Sequence, residues 1–380
     1  MKRRLFGSST SLARSTGLAL LDISALRALG YSPRWEVLFV PHAEEGLTPA
    51  RVIRGDRGSL LIATPDGVVH AKPSARLSKS VTSPADLPAV GDWVAVLVSE
   101  GLDVSLIEAV LERASAITRG DPGGTSDVQV LAANIDTVFV VHPITDPPNL
   151  RRIERELSGA WDSGAVPVVV LTKMDLSADP DVARAAVESV ALGADVLVTN
   201  ALAGDGIQPI LEYISAHRTA VLVGPSGAGK STLINSLLGE QRQATRAVRV
   251  SDGRGVHTTV SRELIQMPGG GVLIDTPGLR AFGLTGSAEG ITSVFSEIDK
   301  ASRSCRFRDC THNDEPGCAV RAAVESGTLP SERLASYHKL MGEAQFAAAK
   351  TDTRLRAERE RKWKLIRKAA KDYYKRTGRG

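Results

Sequence analysis

Two short segments constrain the fold of this chain more than anything else in it. GPSGAGKST runs from Gly224 to Thr232, and TKMD runs from Thr172 to Asp175. The first fits G-x-x-x-x-G-K-[ST] at Gly224, Gly229, Lys230 and Ser231. It follows the apolar run Ala220 to Val223, and a helical pattern opens at Thr232. Glycines let successive backbone N–H groups turn inward around phosphate oxygens without a Cβ clash. Pro225, Ser226, Gly227 and Ala228 complete the curve. Strand, loop and helix in that order put the phosphates at a helix N-terminus, inside a parallel α/β sheet. Lys230 then reaches the β- and γ-phosphates, and the Ser231 hydroxyl binds magnesium.

TKMD follows VPVVVL (Val166 to Leu171), which reads as a buried parallel strand. A carboxylate at Asp175 accepts two hydrogen bonds from guanine N1 and N2. Adenine lacks those donors and would leave the carboxylate unpaired, which disfavours an ATP-driven reading. Lys173 lays its aliphatic stem along the base, and Met174 completes the loop between them. GTPases most often carry Asn at the first position; here Thr172 offers a hydroxyl instead. Thr199-Asn200-Ala201 is expected to back the guanine with N–H groups, although Ser-Ala is the usual pair there. In an ordinary GTPase the phosphate loop comes first and the base-reading motif later. The reversed order makes the chain resemble a circularly permuted GTPase.

A third motif, DTPG, spans Asp275 to Gly278 after the apolar run GVLI. Asp275 can hold magnesium through water, and the Gly278 N–H can bond the γ-phosphate and sense its loss. Between the two loops lies SDGRGVHTTV, Ser251 to Val260. Thr258 or Thr259 would complete the magnesium shell, and the sequence does not choose between them. Where Ras-like enzymes place a water-orienting Gln, this chain has Leu279. Slow intrinsic hydrolysis is the expectation. His257 is the internal candidate for the missing group, with packing or RNA contact as its alternative role. Arg254 and Arg280 are weaker candidates for charge stabilisation.

All three cysteines fall within CRFRDCTHNDEPGC. An odd, clustered set argues against a disulfide framework and for a reducing compartment with a metal site. Cys305, Cys310, His312 and Cys318 would form a closed shell of three thiolates and one imidazole, suited to one structural zinc ion.

The formal net charge of +4 is uneven. From Lys350 to Gly380 there are thirteen Lys/Arg against four Asp/Glu, interleaved with Trp363, Tyr373 and Tyr374. Basic and aromatic residues together fit phosphate neutralisation plus stacking on unpaired bases of RNA. No stretch approaches the length of apolar sequence that spans a bilayer, so no membrane association is expected.

The fold class expected is α/β and multidomain. Residues 1–34 read as a flexible leader. Residues 35–113 carry short runs (VLFV, RVIR, SLLIAT, GVVHAK, DWVAVLV, VSLIEAVL) spaced by Gly, Pro and Asp turns, as in a small OB-fold β-barrel. Arg51, Arg54, Arg57, Lys72, Arg76 and Lys79 are candidates for its nucleic-acid face. Residues 113–126 read as a linker, 127–288 as the permuted P-loop domain, 289–340 as a helical zinc-binding domain, and 341–380 as a basic C-terminal helix or tail.

GDWV (Gly91 to Val94), TKMD, GPSGAGKST, GRGVHTT, DTPGLR and CRFRDCTHNDEPGC, in this order, resemble the ribosome small-subunit-dependent GTPase A family, RsgA, over about residues 26–375. The resemblance implies an OB-fold, a permuted GTPase domain and a zinc domain with a C-terminal helix. It implies slow GTP hydrolysis stimulated by the small ribosomal subunit, contact with rRNA, and departure after hydrolysis to GDP. A monomeric cytoplasmic late-assembly factor is expected. The alternative is a guanine-nucleotide-binding RNA chaperone with little turnover.

Overall fold

The computed structural model describes residues 23–56, 58–98, 104–120, 128–144, 147–239, 262–275 and 289–351. The chain begins there with α1 (Ser24–Ala28) and α2 (Pro33–Glu44). The leader expected up to residue 34 is therefore folded from Ser24 onward, with Leu26 and Tyr31 buried. VLFV, expected as a strand, lies inside α2. Pro33 occupies the first turn, where no N–H is needed. Trp35 and Phe39, four apart, fall on one helical face and bury against Trp93 and Ala95 on the outside of the barrel.

The barrel consists of β1 (Thr48–Asp56), β2 (Ser59–Thr64), β3 (Gly67–Pro73), α3 (Ala75–Ser80), β4 (Trp93–Leu97) and β5 (Ser105–Val110). Its pairing runs β1-β2-β3-β5-β4 and closes by β4 returning to β1. β3 and β5 are parallel and the other pairs antiparallel, the five-stranded OB arrangement. Val52, Ile62, Val94, Val96 and Ile107 fill the interior. The GDWV segment is structural here. A Cβ on Gly91 would come within 2.2 Å of the Ala133 carbonyl oxygen. Asp92, fully buried, takes a two-pronged ion pair from Arg113 at 2.8 and 2.7 Å.

Residues expected to be a linker instead form β6 (Ala116–Gly120), which pairs antiparallel with β7 (Val128–Ala133). The alternation Ala116, Thr118 against buried Ile117 is a strand period that the neighbouring Gly-rich text obscures.

The nucleotide sheet follows: β8 (Thr137–Pro143), α4 (Leu150–Asp162), β9 (Val166–Thr172), α5 (Pro180–Glu188), β10 (Asp195–Val198), α6 (Gln208–Glu212), β11 (Thr219–Val223), α7 (Lys230–Leu238), β12 (Glu263–Gln266) and β13 (Val272–Asp275). Its spatial order is β10-β9-β8-β11-β13-β12. The first five strands are parallel, and β12 is antiparallel to β13. β12 also meets β1 at Arg54 and Glu263, so barrel and nucleotide sheet are continuous.

Four helices complete the described chain: α8 (Glu289–Val294), α9 (Ser296–Ser302), α10 (Ala319–Glu325) and α11 (Ser331–Thr351). They pack on α4. A Cβ on Gly290 would lie 2.1 Å from the Ser158 carbonyl oxygen, so only glycine allows α8 to approach this closely. Arg333 of α11 is buried and binds Glu154 of α4 at 2.5 Å, Glu297 at 2.6 Å and the Val294 carbonyl at 2.6 Å. Ser336 donates to the other Glu154 oxygen. Among the described residues, no helix is long and apolar enough to cross a membrane.

Candidate nucleotide site and metal centre

β11 delivers the chain into the phosphate loop, and α7 carries it away. All five residues of β11 are buried, so the loop starts from a rigid support. Gly224 has φ +136°, and a Cβ there would sit 2.1 Å from the Val141 carbonyl oxygen of β8. Gly227 and Gly229 also take positive φ, at 79° and 87°. Three residues in or near left-handed backbone conformations curl the loop, which is the physical content of its glycine pattern. Lys230 opens α7, and its Nζ donates to the carbonyls of Gly224 at 2.8 Å and Pro225 at 2.7 Å. The ammonium is thereby held over the mouth of the loop, at the positive end of the helix. Ser231 and Thr232 follow in the first turn, half-buried.

The base-reading loop arrives from β9, two strands away. Thr172 is buried, and its Oγ1 lies 2.6 Å from the Ala228 carbonyl and 3.2 Å from the His142 carbonyl. A hydroxyl has one proton to give, and the shorter contact to the phosphate loop takes it. Thr172 therefore ties the two loops together and is not free to touch a base. Gly229 packs beside Thr172, where a Cβ would stand at an ordinary 3.5 Å from Oγ1, so its positive φ of 87° and not crowding is what calls for glycine. Lys173 adopts a left-handed conformation (φ 61°) and turns the chain outward. Met174 is half-buried and Asp175 exposed at the rim. The Met174 N–H reaches the Thr199 carbonyl at 3.4 Å, which sets Thr199-Asn200-Ala201 beside TKMD. The Asn200 side chain is occupied locally, accepting from the Leu202 and Ala203 N–H groups.

Asp275 ends β13, one residue past the Val221–Ile274 pair, on the same edge of the sheet as the phosphate loop. His257, Thr258, Thr259, Gly278 and Leu279 lie outside the described residues, as do the charged residues beyond Thr351 and Arg57.

The second centre is local. Cys305 Sγ lies 3.7 Å from His312 Nδ1 and 3.9 Å from Cys318 Sγ, and Cys318 Sγ lies 3.5 Å from His312 Nδ1. With Cys310, the four ligand atoms all fall within 4.8 Å of one another, a cluster that can hold a metal ion. Cys318 caps α10, its sulfur accepting from the Arg321 N–H. Burial and the nearby His338 hold His312 below the usual imidazole range, which favours the neutral ring a ligand must be. Glu315 braces the loop by accepting from the Thr311 hydroxyl and the Thr311 and Asn313 N–H groups, and these bonds hold its carboxyl down at about 2.

Of the basic residues expected on a nucleic-acid face, Lys72, Arg76 and Lys79 are exposed. Arg54 is engaged by Asp56 at 3.0 Å. Arg51 does not belong to that face. It is 1 % exposed and points into the junction with the nucleotide sheet. Burial draws its guanidinium down to about 10, with Asp136 and Asp92 opposing the shift. An arginine between buried Ala50 and Val52 in a strand was the only sequence sign of this. The buried His142–Glu156 pair at 2.8 Å, beneath the base-reading loop, carries no motif at all.

A glycine-curled phosphate loop, cross-braced to an aspartate-bearing base loop on a parallel sheet, defines a P-loop guanine-nucleotide-binding protein with permuted connectivity. The family model described as RsgA GTPase matches residues 110–285. A Streptomyces coelicolor protein named small ribosomal subunit biogenesis GTPase RsgA is 46% identical, covering 90% of this chain and 92% of its own. A protein of the same name from Opitutus terrae is 45% identical, over 90% and 95%. The crystal structure of YjeQ from Thermotoga maritima superposes with a TM-score of 0.60 at 25% identity, over 78% of this chain and 98% of that one. The structure of YloQ, described as a circularly permuted GTPase, shares the fold with a TM-score of 0.57 at 24% identity, over 79% and 95%. The chain belongs to the RsgA GTPase family and is a GTP hydrolase.

Proposed function

We propose that this GTPase acts in late maturation of the small ribosomal subunit, binding rRNA and using GTP hydrolysis, stimulated by the subunit, as its release switch. The reading draws on the relatives' shared name and on one observation above others, the Thr172–Ala228 bond that joins the base-reading and phosphate loops. That bond makes one cradle from two motifs that are far apart in the chain, so guanine and the phosphates are gripped together.

In this reading Asp175 accepts from guanine N1 and N2, Lys173 covers the base, and residues 224–232 wrap the phosphates. Lys230 leaves the Gly224 and Pro225 carbonyls for the β/γ-phosphates. Ser231 and Asp275, with Thr258 or Thr259, would hold magnesium, which neutralises charge on the β- and γ-oxygens. Gly278 reports the γ-phosphate, and His257 is the group proposed to orient the attacking water. Release of phosphate would then free the segments around Thr258 and Gly278.

Cys305, Cys310, His312 and Cys318 are proposed to hold a structural zinc ion. Tetrahedral ligands at about 2.3 Å (sulfur) and about 2.0 Å (nitrogen) stand about 3.5–3.8 Å apart. The separations of 3.5, 3.7 and 3.9 Å fit that shell. Three thiolates and one imidazole leave no open position, so the ion braces the fold.

The testing measurement is GTP turnover with and without purified small subunits at low and moderate salt. Strong stimulation that weakens as salt rises is expected, because the docking surfaces are basic. GTP turnover that ignores the subunit at every salt concentration would overturn the proposal.

A further inference from the structure

Arg51 belongs to the barrel, yet its guanidinium is buried at the point where four separate segments converge. Nη1 donates to the Leu29 carbonyl after α1. Nε donates to the Gly91 carbonyl at 3.3 Å, and Nη2 lies 3.5 Å from the Asn134 carbonyl after β7. Nη2 also donates to Thr219 Oγ1 at 2.9 Å, and Thr219 is the first residue of β11. Its remaining face stacks 5.1 Å from the Trp93 ring centroid. These hydrogen bonds go to three carbonyls and one hydroxyl, and none goes to a carboxylate.

A buried cation held in this way is an expensive choice if stability is its only purpose. An apolar side chain of similar volume usually does as well or better. What the guanidinium supplies is fixed direction, with planar donors aimed at several partners at once. The junction has no slack. A Cβ on Gly30 would meet Arg51 Nη1 at 2.9 Å and the His217 carbonyl oxygen at 3.3 Å. His217 Nδ1 bonds the Arg27 carbonyl at 2.9 Å, and Asp136 accepts from the Thr219 N–H at 2.8 Å. From Thr219, a fully buried five-residue strand leads to Gly224, where the Val141 carbonyl again leaves no room. β13, paired in register with β11 from Thr219 and Val272 onward, carries Asp275 along with it.

We infer that Arg51 is a positioning residue of the nucleotide site: through Thr219 it holds β11, and with it the phosphate loop and Asp275, in fixed relation to the barrel, so that occupancy of the loop is felt in the barrel and the reverse. The inference needs only nucleotide binding and is independent of the ribosomal reading.

The test is amide hydrogen exchange on the full chain with and without a non-hydrolysable GTP analogue, read at Val52, Gly91 and Leu111. These barrel N–H groups bond the carbonyls of Asp92, Val52 and Trp93. In the unaltered protein the analogue should slow exchange there by about fivefold or more, the lower end of typical coupling between sites. Thr219→Val removes the hydroxyl while keeping the shape, and should confine the protection to the nucleotide sheet. Thr219→Ser should restore it, and Arg51→Lys should restore it only in part, since an ammonium lacks the planar fork. A merely structural role would speed exchange throughout Thr219→Val yet leave the analogue's effect on the barrel intact. Barrel protection in Thr219→Val equal to that of the unaltered protein, or none in the unaltered protein, overturns the inference.

Discussion

The metal cluster and the nucleotide cradle are built in opposite ways. The four metal ligands come from one stretch between Cys305 and Cys318, and their side chains meet with no help from distant strands. The cradle draws Thr172 and Asp175 from the end of β9, the phosphate loop from between β11 and α7, and Asp275 from the end of β13. Its parts meet only because the sheet orders β9, β8, β11 and β13 side by side. A local cluster survives any rearrangement of the chain that leaves its own segment whole. A composite cradle survives only if strand order is kept. Renumbering the nucleotide sheet from β11 gives the order 6-5-4-1-3-2, so the rotated sequence preserves the neighbours on which the cradle depends.

This contrast can be broken at both ends. Chelation, or Cys318→Ser, should have the largest effect. Loss of the proposed zinc ion would forfeit on the order of 10 kcal/mol of binding free energy, so α9 to α11 should lose protection from exchange while β8 to β11 keep theirs. Simultaneous loss in both regions would show that the cluster is not self-contained. Next in size, Lys230→Ala should lower kcat by about 10²–10³-fold, comparable to loss of an electrostatic stabiliser at a reacting centre. Circular dichroism should not change, and a smaller drop would remove Lys230 from the chemistry. Asp175→Asn should weaken GTP binding by about 10²-fold by replacing an acceptor with a donor. It should improve binding of xanthosine triphosphate, whose C2 carbonyl accepts; equilibrium titration with both nucleotides decides it. The smallest expected effect is that of Thr172→Val, about 1 kcal/mol or roughly fivefold in GTP affinity. That loss should be shared by GTP, GDP and ATP alike, because the hydroxyl bonds the phosphate loop and not the base. A loss confined to guanine nucleotides would return Thr172 to the base.

The same contrast explains which parts were legible from sequence. Spacing alone located the cluster of Cys305, Cys310, His312 and Cys318, since a single segment holds its own geometry. The loop glycines, the buried β9 run and the Asp275 strand end were also legible, because a local backbone requirement selects the residue types. Thr172 was recognised as a departure, but its partner Ala228 is visible only once β9 and β11 are placed around β8. Arg51 reads as a surface residue in the sequence, and the structure buries it, because charge is evidence of exposure only on average. VLFV reads as a strand but is helical, because a short apolar run has no period of its own and the Trp35–Phe39 face emerges only over α2 as a whole. The ion pairs Asp92–Arg113 and Arg333–Glu154 join residues 21 and 179 positions apart, and nothing local announces either.

The position of the break in the sheet also governs the order in which the molecule is made. Synthesis runs from the N-terminus, so β8, β9 and β10, with the TKMD loop, leave the exit tunnel before β11 does. β8 is a central strand of the finished sheet, flanked by β9 and β11. Until Val223 has emerged, one of its edges is open and the TKMD loop has no phosphate cradle to close against. β1 likewise waits for β12 to cover the edge at Arg54. A growing chain therefore exposes unpaired edges for most of its synthesis, and a guanine nucleotide can grip it only after Thr232 is out. Ligand capture is thus a late step in the birth of this protein, and chaperones have that interval in which to guard it.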